Sequence, residues 1–241
     1  MVRRLAVLLA LLGLVACSSD EPEAAVEAPE PEAPAEPAAG DGLRPPSSGE
    51  VDCSDPPPDP EQIDLFSENA GVNREAAIRG LQTLAGEHPT SATARARLAE
   101  LYLAHPSRPD QAETWFRRAI ELHERGCEMT ERDHWVAYEG LAISRMMRSD
   151  YAGAIEPLRA SLQRWPGSRS THYNLACSLC QTGDLDGCAS ELELVLGELE
   201  APAFLADDTR PVSHFRTMIE RDDADLAPLR ADPARLAAVL D

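Results

Sequence analysis

One spacing constrains this chain more than any other feature. Leu141-Ala142, Asp150, Tyr151, Ala154 and Leu158 recur 34 residues later as Leu175-Ala176, Asp184, Leu185, Cys188 and Leu192, and the two segments align without a gap. A fixed period of this length marks one supersecondary unit copied along the chain, each copy burying its apolar face on the next. Small residues such as Ala142 and Ala154 let two helices approach closely, while the Leu and aromatic residues one turn away fill the space between neighbouring hairpins. Asp150 and the Gly183-Asp184 pair suit a tight turn and the start of a second helix.

The same pattern recurs upstream as Leu98-Ala99, Tyr102, Ala112, Phe116 and Ala119, with one extra residue in the turn HPSRPD. Before it, Ala77, Leu81 and Leu84 mimic a second helix that Pro89 ends. Period and pattern together resemble the tetratricopeptide repeat, a helix-turn-helix unit. That resemblance implies an all-α solenoid of about 3.5 repeats: a half-repeat over 61–90, repeats over 91–126, 135–168 and 169–201, and a surplus over 127–134 that extends the preceding helix or forms a loop. The C-terminal segment 202–241 carries DADLAPLRADPARLAAVL, similar to the closing run found after the last repeat in bacterial arrays of this family. Asp225, Leu226, Leu229, Arg230, Asp232 and Pro233 carry that match, which implies a helical cap; from Pro202 to Asp223 the resemblance is poor.

The first residues place Arg3 and Arg4 ahead of an apolar run from Leu5 to Leu12 and then small residues, the order of a secretory signal peptide too short to span a bilayer. Leu14-Val15-Ala16-Cys17 resembles the lipobox of bacterial lipoproteins, which implies cleavage after residue 16 and acylation (palmitate) of Cys17. Several acyl chains give stable membrane anchoring. Ser18 and Ser19, in place of an Asp, imply sorting to the cell outer membrane, facing the periplasm. Residues 17–60 then read as a disordered acidic tether rich in Pro, Ala and Glu, since so little apolar surface cannot offset the entropy of ordering. From residue 20 to 60 the net charge is −11, and residues 61–241 carry another −11. Neither part has the clustered cations that nucleic acid or anionic lipid requires.

Cys177, Cys180 and Cys188 set the enzyme question. The first two fall near the carboxyl end of a repeat's first helix, where the macrodipole disfavours a thiolate, and no βαβ pattern surrounds them. A zinc site lacks a fourth ligand, His172 being the sequence-near candidate. A thiol–disulfide or metal-binding protein using these three cysteines is the alternative to a scaffold. Cys188 reads as a buried thiol or as one half of a staple to Cys180, and Cys53 and Cys127 form a second possible pair. No G-x-S-x-G elbow, phosphate-binding glycine loop or H-E-x-x-H occurs. Asp207-Asp208 and Asp222-Asp223 read as solvated loop charges. The expectation is therefore a scaffold, without catalytic residues, metal or cofactor, that binds a protein or peptide.

In tetratricopeptide arrays the first helices line a concave groove. On this register the groove side carries Thr93, Ala96, Glu100 and Leu103, then Val136, Glu139, Ile143 and Met147, then Ser170, Tyr173, Asn174 and Cys177. Two readings stay open: a surface for a segment with apolar anchors, or packing between neighbouring helices and the cap. Lipoproteins of this plan resemble accessory subunits of outer-membrane or cell-wall assembly.

Overall fold

The computed structural model describes residues 52–54, 56–104, 107–205 and 210–241. The signal peptide, Cys17 and the tether up to residue 51 lie outside the described residues, as does Asp207-Asp208. The described chain is helical, with no strand among its residues. Its helices are α1 (Pro60–Glu87), α2 (Ala92–Leu103), α3 (Pro109–Glu124), α4 (Glu131–Met146), α5 (Tyr151–Arg164), α6 (Arg169–Thr182) and α7 (Leu185–Leu196). A C-terminal segment follows, with α8 (Val212–Thr217), α9 (Ala227–Arg230) and α10 (Pro233–Leu240). No described helix is long and apolar enough to cross a membrane.

Helix pairs α2/α3, α4/α5 and α6/α7 are hairpins, each packed on the next. Every second helix starts one turn before the small residue of the repeat. Asp150 accepts from the Gly153 N–H at 2.9 Å and Asp184 from the Gly187 N–H at 2.9 Å, capping α5 and α7. α3 opens with Pro109 instead, whose missing N–H costs nothing there. The turn before α7 uses Gly183 at φ 88°, and the equivalent position before α5 holds Ser149 at φ 62°. A proline inside α5, Pro157, cannot donate to the carbonyl of Gly153 four residues back. The Arg145 guanidinium takes that carbonyl at 2.6 Å, so the broken rung does not leave an orphan.

Segment 61–90, expected to supply one helix, supplies two. α1 breaks at Asn73 (φ −148°, ψ 86°). A Cβ on Gly80 would lie 2.3 Å from the Phe66 ring; a straight helix would hold these residues about 21 Å apart. The limbs 60–72 and 74–87 therefore fold back on each other, with Asn73 capping the second by accepting from the Ala76 N–H at 3.0 Å. The second limb, with Ala77, Leu81 and Leu84 buried, is the helix of the expected half-repeat, and the first limb packs on it as an additional helix. The surplus 127–134 divides, its first four residues forming a loop and the rest joining the following helix. α3 ends at Glu124, Gly126 turns the chain at φ 97°, and Glu131–His134 become the first turn of the following helix, capped by Thr130.

Two disulfides staple this frame. Cys53 is joined to Cys127 with a Cα separation of 5.1 Å, and Cys180 to Cys188 with 5.2 Å. The first ties the start of the described chain to the loop between the second and third hairpins, in a small cluster with Ala92, Leu122 and Met129. The second closes the α6–α7 turn.

Candidate functional site: the concave face

The first helices α2, α4 and α6 bring the groove-side residues together, but most of these are not at a surface. Ala96, Glu100, Val136, Glu139, Ile143, Tyr173, Asn174 and Cys177 are buried, as are Leu103 and Ser170; only Thr93 and Met147 are half-buried. Of the two readings left open for those eight positions, their burial agrees with packing against neighbouring helices and the cap, and the two halves of the face are closed by different means.

In the first half, ion pairs between first helices close it. Arg97 Nε on α2 lies 2.7 Å from Asp133 Oδ1 on α4, and Arg132 reaches back to Glu100 at 3.0 Å. The Thr130 hydroxyl donates to the second Asp133 oxygen at 2.7 Å. Burial opposes the Arg132 charge, but the Glu100 and Asp133 carboxylates outweigh it and raise its pKa.

In the second half, the C-terminal segment covers α6. Phe204 sits between Trp135 and Trp165, with ring centroids 6.2 and 5.7 Å away. The Phe215 ring lies 5.4 Å from that of Tyr173, and Ile219, Leu226 and Leu229 are fully buried beside it. The Tyr173 hydroxyl donates to Asp223 at 2.5 Å, the Tyr151 hydroxyl to Asp225 at 2.7 Å, and the Gln181 amide to the Asp225 carbonyl at 2.8 Å. Asp223, expected to be a solvated loop charge, is therefore a buried acceptor, and Arg230 donates to its carbonyl.

Cys177 lies outside the two disulfides and is buried. Its Sγ lies 3.8 Å from Asp223 Oδ2, and with Asp223 and Asp225 it forms a group whose ligand atoms fall within 4.8 Å of one another. The tyrosine hydroxyls and the Asp225 N–H, which donates to Asp223 at 2.9 Å, already serve these carboxylates, so hydrogen bonding accounts for the cluster. Cys180 and Cys188 are buried as well as bonded to each other.

Between α4 and α6, Asn174 donates to Glu139 Oε2 at 3.1 Å, while Glu139 Oε1 makes no hydrogen bond. Burial pushes the Glu139 carboxyl up to about 7, against hydrogen bonds from Thr171 and Asn174 and the charges of His172 and Arg210. His172 contacts Glu191 at 2.6 Å and the Pro166 carbonyl at 2.8 Å. Burial works against its charge, and these acceptors, with Glu139, prevail and raise its pKa. At the amino end of α6 a cavity of about 210 Å³ is lined by Ser170, Arg169, Arg210, Leu205 and Phe215. It is smaller than the roughly 300–1,000 Å³ of typical small-molecule sites.

No family model matches this chain, and no curated protein matches it. Among solved structures, a chain described as "MamA RS-1 ArsTM double mutant" is similar, with a TM-score of 0.49 and 16% sequence identity over 74% of this chain and 94% of that one. The hairpin order and caps above make the fold a tetratricopeptide-like helical repeat, an architecture associated with protein interaction.

Proposed function

We propose that this protein is a lipid-anchored envelope scaffold. Cys17 carries the acyl chains, the acidic tether spans the distance from the outer membrane, and the helical array binds a protein partner as an accessory subunit of an outer-membrane or cell-wall assembly. It acts without catalysis. The observation that carries this reading is the array itself, four stacked hairpins stapled at Cys53–Cys127 and Cys180–Cys188. Two disulfides suit an oxidising compartment, and the lipobox-like sequence ahead of Cys17 suits the same address.

The test has two arms. Metabolic labelling with an alkyne-bearing palmitate should mark the wild type and not Cys17→Ser, with the wild type fractionating with outer membranes. Crosslinking in intact cells followed by purification should recover one recurrent protein partner. An unlabelled wild type would sink the anchor, and absence of any recurrent partner would sink the scaffold.

A further inference from the structure

Among the described residues large apolar side chains are rarely left in water. Leu65 is 55% exposed, Val72 89% and Leu194 45%. The first two share the limb 60–72. Glu61, Leu65, Glu68 and Val72 follow at steps of four, three and four residues, which puts them on one face of that helix. The opposite face holds Ile63, Phe66 and Ala70, which pack on the core. This limb is thus apolar on two sides, and its inward contacts account for only one of them.

The rim of the outer stripe is acidic. Glu61 and Glu68 are exposed and make no ion pair among the described residues, and Asp64 is exposed at its edge, 3.9 Å from Arg97. Arg97 is shared between Asp64 and Asp133, Arg108 pairs with Glu75 at 2.6 Å, and Arg74 donates to the Leu101 carbonyl at 2.8 Å. The stripe therefore combines two apolar anchors one heptad apart with two carboxylates, Glu61 and Glu68, that no cation among the described residues pairs.

We propose that the outer face of residues 60–72 is the partner-docking surface of this protein and that it takes a basic amphipathic helix. This rests on the scaffold reading above and locates its contact. Leu65 and Val72 would insert between apolar residues repeated every seventh position on the incoming helix, and Lys or Arg beside them would meet Glu61, Asp64 and Glu68. The chain's own tether does not suit the place, since residues 20–60 carry a net charge of −11 and would be repelled. Solenoid ends ordinarily present polar outer faces, so an apolar stripe at this end fits a contact made with something else.

The probe is a synthetic amphipathic peptide of three heptads, with Leu at heptad-spaced positions flanked by Arg. Its binding to the full-length acylated protein in detergent would be read by fluorescence anisotropy. Two double variants, Leu65→Ser with Val72→Ser and Glu61→Arg with Glu68→Arg, alter exposed side chains, and unchanged helical circular dichroism would check that both fold. The proposal expects each to weaken binding at least about tenfold, with the wild-type affinity falling as salt rises. Equal binding by both variants, or by a peptide with Glu in place of Arg, overturns it. So does concentration-dependent self-association of the wild type that the Leu65→Ser, Val72→Ser pair abolishes, because a second copy would then cover the stripe. Crosslinking in cells separates this from the scaffold reading. A partner recovered equally by wild type and variants removes the surface and leaves the scaffold, whereas no partner with any of them removes the scaffold.

Discussion

The two ends of the array meet the same problem in opposite ways. A stack of hairpins leaves the last helix at each end without a neighbour. At the carboxyl end, Phe215, Ile219, Leu226 and Leu229 are laid over α6 and α7, and the groove-side residues Tyr173 and Cys177 vanish beneath them. At the amino end, nothing described lies over Leu65 and Val72; there the chain is secured sideways, by the Cys53–Cys127 bond, the Arg74 contacts with α2 and the His88 ring against the Pro56 carbonyl. The contrast teaches that burial and covalent anchoring are alternative ways to hold a terminal repeat, and only the second leaves a face free.

The largest expected effect lies at the carboxyl end. Phe215→Ala should cost about 3–5 kcal/mol in urea unfolding, while Leu65→Ser with Val72→Ser should change stability by within about 0.5 kcal/mol per site. Similar losses at the two ends would erase the difference between them. Next comes the covalent side of the comparison. The Cys53–Cys127 bond closes a sequence separation of 74 and the Cys180–Cys188 bond one of 8. On chain entropy alone, Cys53→Ser should lose about 4.5 kcal/mol and Cys188→Ser about 2.5 kcal/mol. A reversed order of thermal midpoints would show that the amino end does not depend on its staple.

How much of this was legible in the sequence varied by position. The 34-residue match announced the hairpins because small residues such as Ala142 and Ala176, and caps such as Asp150 and Asp184, must stand at fixed places for helices to touch. The first limb, 60–72, gave no such signal: its buried face is Ile63, Phe66 and Ala70, which breaks the Leu-Ala pairing of the other repeats. Segment 202–223 was equally opaque, because Phe215 and Ile219 form too short a run to declare a helix and Asp223 looks like any loop carboxylate. The groove side was readable and its closure was not, since a register says which way Tyr173 points but not that Asp223 and Phe215 will return from fifty and forty residues away to cover it. Leu65 and Val72 could have been noticed from their heptad spacing beside Glu61 and Glu68.

A smaller effect concerns the seam between the two halves. The Glu139 carboxyl is raised from 4.5 to about 7 by burial, so the folded state binds its proton more tightly than the unfolded chain. Its contribution is fully present below pH 4.5, is lost as pH rises toward 7, and stays lost above that. The loss is on the order of 3 kcal/mol. Glu139→Gln keeps the Asn174 contact without the charge, and should remove this part of the decline between pH 4.5 and about 7 in denaturant titrations. An unchanged slope would mean that the carboxylate finds solvent there. The smallest effect contrasts two turns: Gly183 accepts its left-handed conformation freely, whereas Ser149 does not, so Ser149→Gly should stabilise by about 1 kcal/mol.

The central claim, that the carboxyl-terminal segment seals the concave face over α6, is tested most directly by the reactivity of Cys177. Site-resolved mass spectrometry of the native protein exposed to a maleimide should find Cys177 unmodified on the timescale in which a denatured sample reacts completely, and labelled much faster in Phe215→Ala. Prompt labelling of Cys177 in the native wild type would contradict the account.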